Sequence, residues 1–490
     1  MLLPPRDALG WFTRPGDCDA VTDWLQGCAA DRLVISLEML CFGGLVASRT
    51  PAVTTELALE RLEGLRQLRR RRPELTIFAF SIVMRLGTTV TDAASLTAHQ
   101  AIQAYSQLVD RLERLGEESA RRDLEAAAAQ LGFAALSTYL SVRRRNHTVN
   151  SQAIGLAADG VIDYLVLAQE DSAPVGIHLP ELLALRSQVE EHRLSERVAI
   201  HPGADEVGLV LLARHHSQAA PRPLHIGIHY ASDEGAQVAP RYEHQPIIRS
   251  VESQVHAAGA RLTPPAEADA VLFIHTPLDP QGDIAEAPVE GESPALAAQA
   301  EGLVEQMRAA RASGAGIGLA DLAYANGADP ELIAALRRNG VAAHLDAFAA
   351  WNTAGNTLGT VISQLCHAAW SDDAGEGPRS GEAAAEAARD FIACRLIDDW
   401  GYQSCVRQQA AQQAQEMGAN PFVLGGARPE IERLVCAELK PLAHLVYSDL
   451  LGADAGLAEH VRVSLPWGRL FEVEVEVELD GSGAPAKKRS

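Results

Sequence analysis

The pattern of apolar and polar positions divides the chain into alternating strands and helices. Apolar runs at 32–40, 76–84, 162–171 and 197–205 read as buried strands. Between them, leucines near helical spacing at 54–72 predict an amphipathic helix, and Ala-rich stretches predict helices over 93–115 and 119–143. After the linker-like stretch 217–223 the alternation restarts. Strands are expected at 224–230, 268–276, 315–324 and 341–348, and helices at 245–258, 295–312 and 330–338. Residues 277–294, rich in Pro, Gly and acids, read as a loop. Residues 355–460 read as mainly helical, with a loop at 372–381. The stretch RLFEVEVEVELD alternates with period two, as a half-solvated strand does, and 481–490 reads as a disordered tail.

Strand–helix alternation predicts an α/β fold: parallel sheet with flanking helices in two lobes, plus a helical C-terminal region. A (β/α) barrel in the N-terminal part is the alternative. The expected boundaries are an N-terminal α/β domain over 1–216 and a second over 224–354. A helical region ending in a strand follows over 355–480, then the tail.

Composition narrows the partners. The 490 residues carry 64 acidic against 42 basic side chains, a net charge of −22. Nucleic acid and anionic membranes are therefore not expected partners, because both require concentrated Lys and Arg. The strong basic runs, 69–72 and 143–145, are short and are each expected at a helix end. No apolar run approaches a bilayer span, and the chain opens with no signal-peptide pattern. Seven cysteines without a CxxC favour reduced thiols in a cytoplasmic protein and give no cysteine zinc site. No metal and no cofactor are expected. GxGxxG, GxxxxGK[ST] and GxSxG are absent.

Candidate chemistry collects at the C-terminal ends of the predicted strands, where ligands bind in open parallel sheets and barrels alike. Glu38, Arg85, Glu170, Asp171, Asp205, Glu206 and Asp321 lie there. Asp171 and Asp205 are the expected catalytic pair, as acid and base or nucleophile, with Glu38 and Glu206 as supporting acids. Glycosidic cleavage needs such a pair, roughly 5–5.5 Å apart for retention and 6.5–9.5 Å for inversion. Substrate contacts are expected from Arg85, Glu170, His178 and Asp321. Further contacts are expected from Arg145, Asn146 and His147 at a basic helix end, from the turn residue Asn326, and from Trp351 and Asn352 in a glycine-bearing turn. Arginine clamps carboxylates, amides read hydroxyls, and aromatic faces stack on sugar rings. The reading is a hydrolase, glycosidase-like, with a small-molecule or carbohydrate substrate. The alternatives are a metal-dependent hydrolase or deacetylase using Asp171, His178, Asp205 and His201, and a non-catalytic sugar- or nucleotide-binding protein. An acidic cleft of this kind suits a neutral or cationic substrate over a phosphorylated one.

Several stretches together resemble a bacterial family known as domain of unknown function 4127. They include VISLEMLCFGGLVASRT (34–50), RRRNHTVN (143–150), IDYLVLAQEDSAPVGIHLPE (162–181), HPGADEVGLVLLAR (201–214), AWNTAGNTLGT (350–360) and LPWGRLFEVEVEV (465–477). The resemblance spans nearly the whole chain. It implies an opening strand with a Pro-Leu-Asp-acidic-Arg-Pro motif that this chain lacks. It also implies Asp where Glu38 and Glu170 stand.

Overall fold

The computed structural model describes residues 1–287, 291, 293–371 and 382–477. The chain begins with α1 (Cys18–Gly27), β1 (Arg32–Ser36), α2 (Leu37–Phe42), α3 (Thr55–Arg71) and β2 (Thr76–Val83). It continues through α4 (Ala93–Glu113), α5 (Arg121–Leu131), α6 (Phe133–Ala158), β3 (Tyr164–Gln169), α7 (His178–Glu191), β4 (Val198–Pro202) and α8 (Val207–Ala219). Next come β5 (His225–Tyr230), α9 (Asp233–Ala236), α10 (Ile247–Ala257), β6 (Arg261–Leu262), β7 (Ala270–His275) and β8 (Gly282–Asp283). They are followed by α11 (Pro294–Ala312), β9 (Gly316–Asp321), β10 (Tyr324–Ala325), α12 (Pro330–Asn339), β11 (Ala347–Ala349) and α13 (Ala354–Ser371). The last elements are α14 (Glu382–Arg395), a π-helical stretch Leu396–Val406, α15 (Arg407–Glu416), α16 (Arg428–Leu445), β12 (Val461–Ser464) and β13 (Glu474–Val477).

Two parallel sheets organise these elements. The first has the order β1-β2-β3-β4, and the second has the order β6-β5-β7-β9-β11. Renumbered within itself, the second sheet runs 2-1-3-4-5, a doubly wound order. Short pairs β8/β10 (parallel) and β12/β13 (antiparallel) stand apart.

The apolar side chains sort into layers. One core fills the outer face of the first sheet, where Leu62, Leu65, Ile154 and Leu182 of α3, α6 and α7 cover Ile77, Ala79 and Leu165. A second core lies between the sheets. There Val210, Val251, Leu358 and Ile362 of α8, α10 and α13 meet Phe78 and Val166 on one side and Leu272 and Ile274 on the other. The third packs α11, α12 and the C-terminal helices on the far face of the second sheet. The middle helices are thus shared by both sheets, and α13 at the opening of the C-terminal region belongs to this layer. Burial on both faces explains why β3 and β7 read as unbroken apolar runs and not as alternating ones.

Local departures from the sequence reading have physical causes. The expected strand 32–40 ends at Ser36, whose hydroxyl accepts from the Met39 amide and starts α2. The expected helix 119–143 is broken instead at Gly132 (φ 75°), and α6 then runs unbroken to Ala158. The arginines at 143–145 therefore lie in mid-helix and not at a helix end. Arg143 and Arg145 are buried there with Asn146. The tail at 481–490 and the loop at 372–381 lie outside the described residues. Among the described residues, no helix is long and apolar enough to cross a membrane.

Candidate functional site

Both sheets point their C-terminal ends the same way, and close contact of small residues brings those ends together. A Cβ on Gly355 would sit 2.6 Å from the Pro202 carbonyl oxygen, and one on Gly359 would sit 2.3 Å from Glu206 Cγ. The Asn356 side-chain oxygen accepts from the amides of Ala204 and Asp205, both at 3.1 Å. The switch point between β5 and β7, where doubly wound sheets commonly bind ligands, is filled by the chain itself: Gly235 packs against Thr276. The polar opening lies instead between the ends of the two sheets.

Five of the expected residues gather there. Arg85, just past β2, ion-pairs with Asp171 and lies 3.6 Å from Glu170 Oε1. Glu170 is also ion-paired with Arg49. Asp205, just past β4, is exposed to solvent yet walled in by protein, and Asn352 Nδ2 donates to its Oδ2 at 3.1 Å. Enclosure pushes the Asp205 carboxyl up to about 6. The charge of Glu170 adds to that rise, while Arg49, Arg85 and the Asn352 hydrogen bond oppose it. Burial lowers Arg85 to about 10 against the pull of Glu170. Among the neighbouring charges, that of Glu170 acts most strongly on Asp205.

Arg49 and Arg469 were not among the expected residues. Arg49 follows the Gly43–Gly44 turn. Its loop is held by the buried Arg145, which donates to the carbonyls of Ser48, Thr50 (2.9 Å) and Val53 (2.7 Å). Asn146 also donates to Ser48 O, at 3.0 Å. Arg145 and Asn146 therefore brace the site from behind. Arg143 does the same for Arg85, donating to its carbonyl at 2.9 Å while bonded to both carboxylate oxygens of Glu181. Arg469 comes from the far end of the chain, lying over the rings of Phe12, Trp467 and Phe471 and acting on Arg85 through its charge. The glycines after β1 and the LPWGRLFE stretch were the signals available for these two arginines. Arg469 is itself ion-paired with Glu472, but Arg49 and Arg85 match Glu170 and Asp171, so the floor is not the simply acidic surface that net charge suggests.

The remaining candidates are engaged in other contacts. Glu38 is buried and takes the place β1 has vacated beside β2, accepting from Ile82 N (2.7 Å) and Ser81 Oγ (2.8 Å), and burial raises it to about 7. Glu206 is fully buried between α8 and α10, where Gln254 donates to it at 3.0 Å, and is likewise raised by burial to about 7. Asp321 is buried, accepting from the amides of Asp329 and Ala323 at 2.6 and 3.1 Å. Trp351 stacks beneath Arg395 and donates to Thr360, and Asn326 donates to Asp283. His147 is half-buried on α6. His178 is buried against His244, and desolvation lowers it to about 2. His201 is buried and lowered by desolvation to about 4. The metal set Asp171, His178, Asp205 and His201 does not assemble: among the described residues no three His, Cys, Asp or Glu side chains are placed to hold an ion. All seven cysteines are free.

A cavity of about 590 Å³ lies at the opposite end of the second sheet, lined by residues such as Arg222, Asp269 and Asp346. Its Arg222 and Asp269 pair with each other at 2.6 Å, and it contains none of the cleft residues.

The cleft floor also holds buried polar atoms with no hydrogen-bond partner. They are the donors Arg49 Nε and Arg85 Nε and the acceptors Gln169 Oε1 and Glu170 Oε2. A site with spare donors and acceptors side by side matches hydroxyl groups, which do both. A family model described as "Protein of unknown function (DUF4127)" matches residues 1–476. No curated protein and no solved structure matches the chain.

Proposed function

The chain belongs to the DUF4127 family of proteins of unknown function, so its reaction has to be read from its own cleft, and we propose a hydrolase of glycosidic bonds centred on Asp205. The observation that carries this reading is a contrast between neighbouring carboxylates. Asp205 is reachable from solvent and, raised to about 6, holds its proton well above the usual carboxylate range. Glu170 is locked to Arg49 and faces Arg85. An enclosed carboxyl that holds a proton beside an arginine-bound carboxylate is the kind of pair that glycosidic cleavage uses. Asp205 donates its proton to the leaving oxygen. Glu170, with one oxygen held by arginine and Oε2 unpartnered, supports or attacks the developing positive carbon. Asp171 orients Arg85, and Asn352 orients Asp205. The unpartnered donors and acceptors at the floor favour a hydroxyl-rich substrate.

The test is turnover by the full chain on a panel of nitrophenyl glycosides. Activity that falls about 10²–10⁴-fold in Asp205→Asn, with folding intact, supports the proposal. A wild-type protein inactive on every glycoside overturns it.

A further inference from the structure

Four non-glycine residues around the cleft adopt left-handed backbone: Asp171, Tyr242, Asn326 and Asn352, with φ of 31°, 66°, 62° and 56°. Such backbone is uncommon outside glycine, less so for Asn and Asp than for Tyr, and four instances so close together point to a network that holds them. All four connect to one buried carboxylate, Asp283 of β8. We infer that Asp283 is a positioning residue that sets both Asp171 and Asp205 through two hydrogen-bonded arms.

The first arm runs through Tyr242. Its hydroxyl donates to Asp283 Oδ2 at 2.6 Å, and its carbonyl accepts from the Ser172 amide at 2.7 Å, one residue past Asp171. The second runs through Asn326. Its Nδ2 lies 3.1 Å from both Asp283 oxygens, and its backbone amide donates to the Asn352 carbonyl at 2.9 Å. Asn352 Nδ2 in turn holds Asp205. An Asp that merely closed its own turn would need only the Ala285 amide, which Asp283 Oδ1 accepts at 2.7 Å. Instead it also gathers side chains 41 and 43 residues away in sequence. Its side chain is 1% exposed, so it acts without touching substrate. Arg241 Nη1 lies 4.0 Å away and is shared with Glu286, and Arg407 feels its charge from α15. The charged groups acting on Asp205 are Glu170, Arg49 and Arg85.

The role assigned to Asp205 rests on the hydrolase reading, but the coupling does not, and it is measured without substrate. The full chain is labelled with a carbodiimide and amine across a pH series, and Asp205 and Asp171 are followed by peptide mass spectrometry. Asp283→Asn cuts at both arms. Asn326→Gly keeps the left-handed backbone and cuts one. Tyr242→Phe cuts the other. Releasing Asn352 removes a bond that favours ionised Asp205, so its labelling midpoint is expected to rise by about half a pH unit or more in Asp283→Asn and Asn326→Gly. Tyr242→Phe is expected to leave that midpoint in place and to increase labelling of Asp171. Wild-type midpoints and wild-type Asp171 labelling in proteins that melt normally overturn the inference. If Asp283→Asn does not fold, the two single-arm variants decide. Absence of glycoside turnover counts against the hydrolase reading alone.

Discussion

At the residue scale, the pH response of the cleft follows from the charges around Asp205. A general acid must hold its proton, so glycoside turnover is expected to fall about tenfold per pH unit above roughly 6, where Asp205 ionises. Arg85 stabilises the ionised form. Arg85→Met should therefore move this alkaline limb upward, which a pH–rate profile of kcat/KM would read. An unmoved limb would mean that Arg85 does not face Asp205 electrostatically. Asp205, Glu170, Asp171 and Arg85 were legible because each follows directly on a strand, and a strand end fixes position without knowledge of the rest of the fold. Arg49 and Arg469 were not, because their place depends on which loop folds over which sheet end. Glu38 and Glu206 look equivalent to Asp205 in sequence. They differ only in facing a neighbouring strand or helix, which a single sequence does not encode.

At the element scale, the contact of α8, α10 and α13 buries two acids with matching behaviour. Burial raises Glu243 to about 8, with hydrogen bonds from the Gly355 amide and Ser250 opposing. The charge of Glu206 raises it further. An unfolded glutamate ionises near 4.5, whereas the folded chain keeps these protons to about 7 and 8. The folded form binds more protons in that window. Its stability is therefore fully present below about 4.5 and declines as pH rises towards 8, by on the order of a few kcal/mol. Glu243→Gln copies the protonated form. Urea unfolding should show a weaker decline between pH 5 and 8 in that variant than in the wild type. In the same layer, Gly359→Ala inserts a methyl against Glu206 Cγ. It is expected to cost about 1–3 kcal/mol, seen as a lower melting temperature. Existence and type of most strands and helices were legible from periodicity. The continuous α6 was not, because polar residues that pack inward along a helix carry the same letters as a solvated helix end.

At the scale of the whole molecule, two parallel sheets with a shared helical layer were foreshadowed by the strand–helix alternation and its restart near 224. A single cleft at the polar strand ends was also expected, but which ends of the two sheets meet there was not legible, since strand order and sheet-to-sheet contact depend on pairs far apart in sequence. The layering predicts where the fold is most secure. Amides of β3 and β7, buried at every position, should exchange with solvent most slowly, and those of the half-exposed β12/β13 pair fastest. Native-state hydrogen exchange would check this, and equal rates would contradict the layered burial.

The cleft draws its arginines from positions as far apart as Arg49 and Arg469. During synthesis the ribosome must add 469 − 49 = 420 residues between the first and last of them, roughly 20–80 s of elongation. The first sheet can pair each strand with its predecessor as it emerges, because its spatial and sequence orders coincide. The nascent chain would thus display folded strand ends, with their acids in place, well before Arg469 and its partner Glu472 arrive beside Arg85. The charged surroundings of Arg85 are therefore complete only once residue 469 has been added.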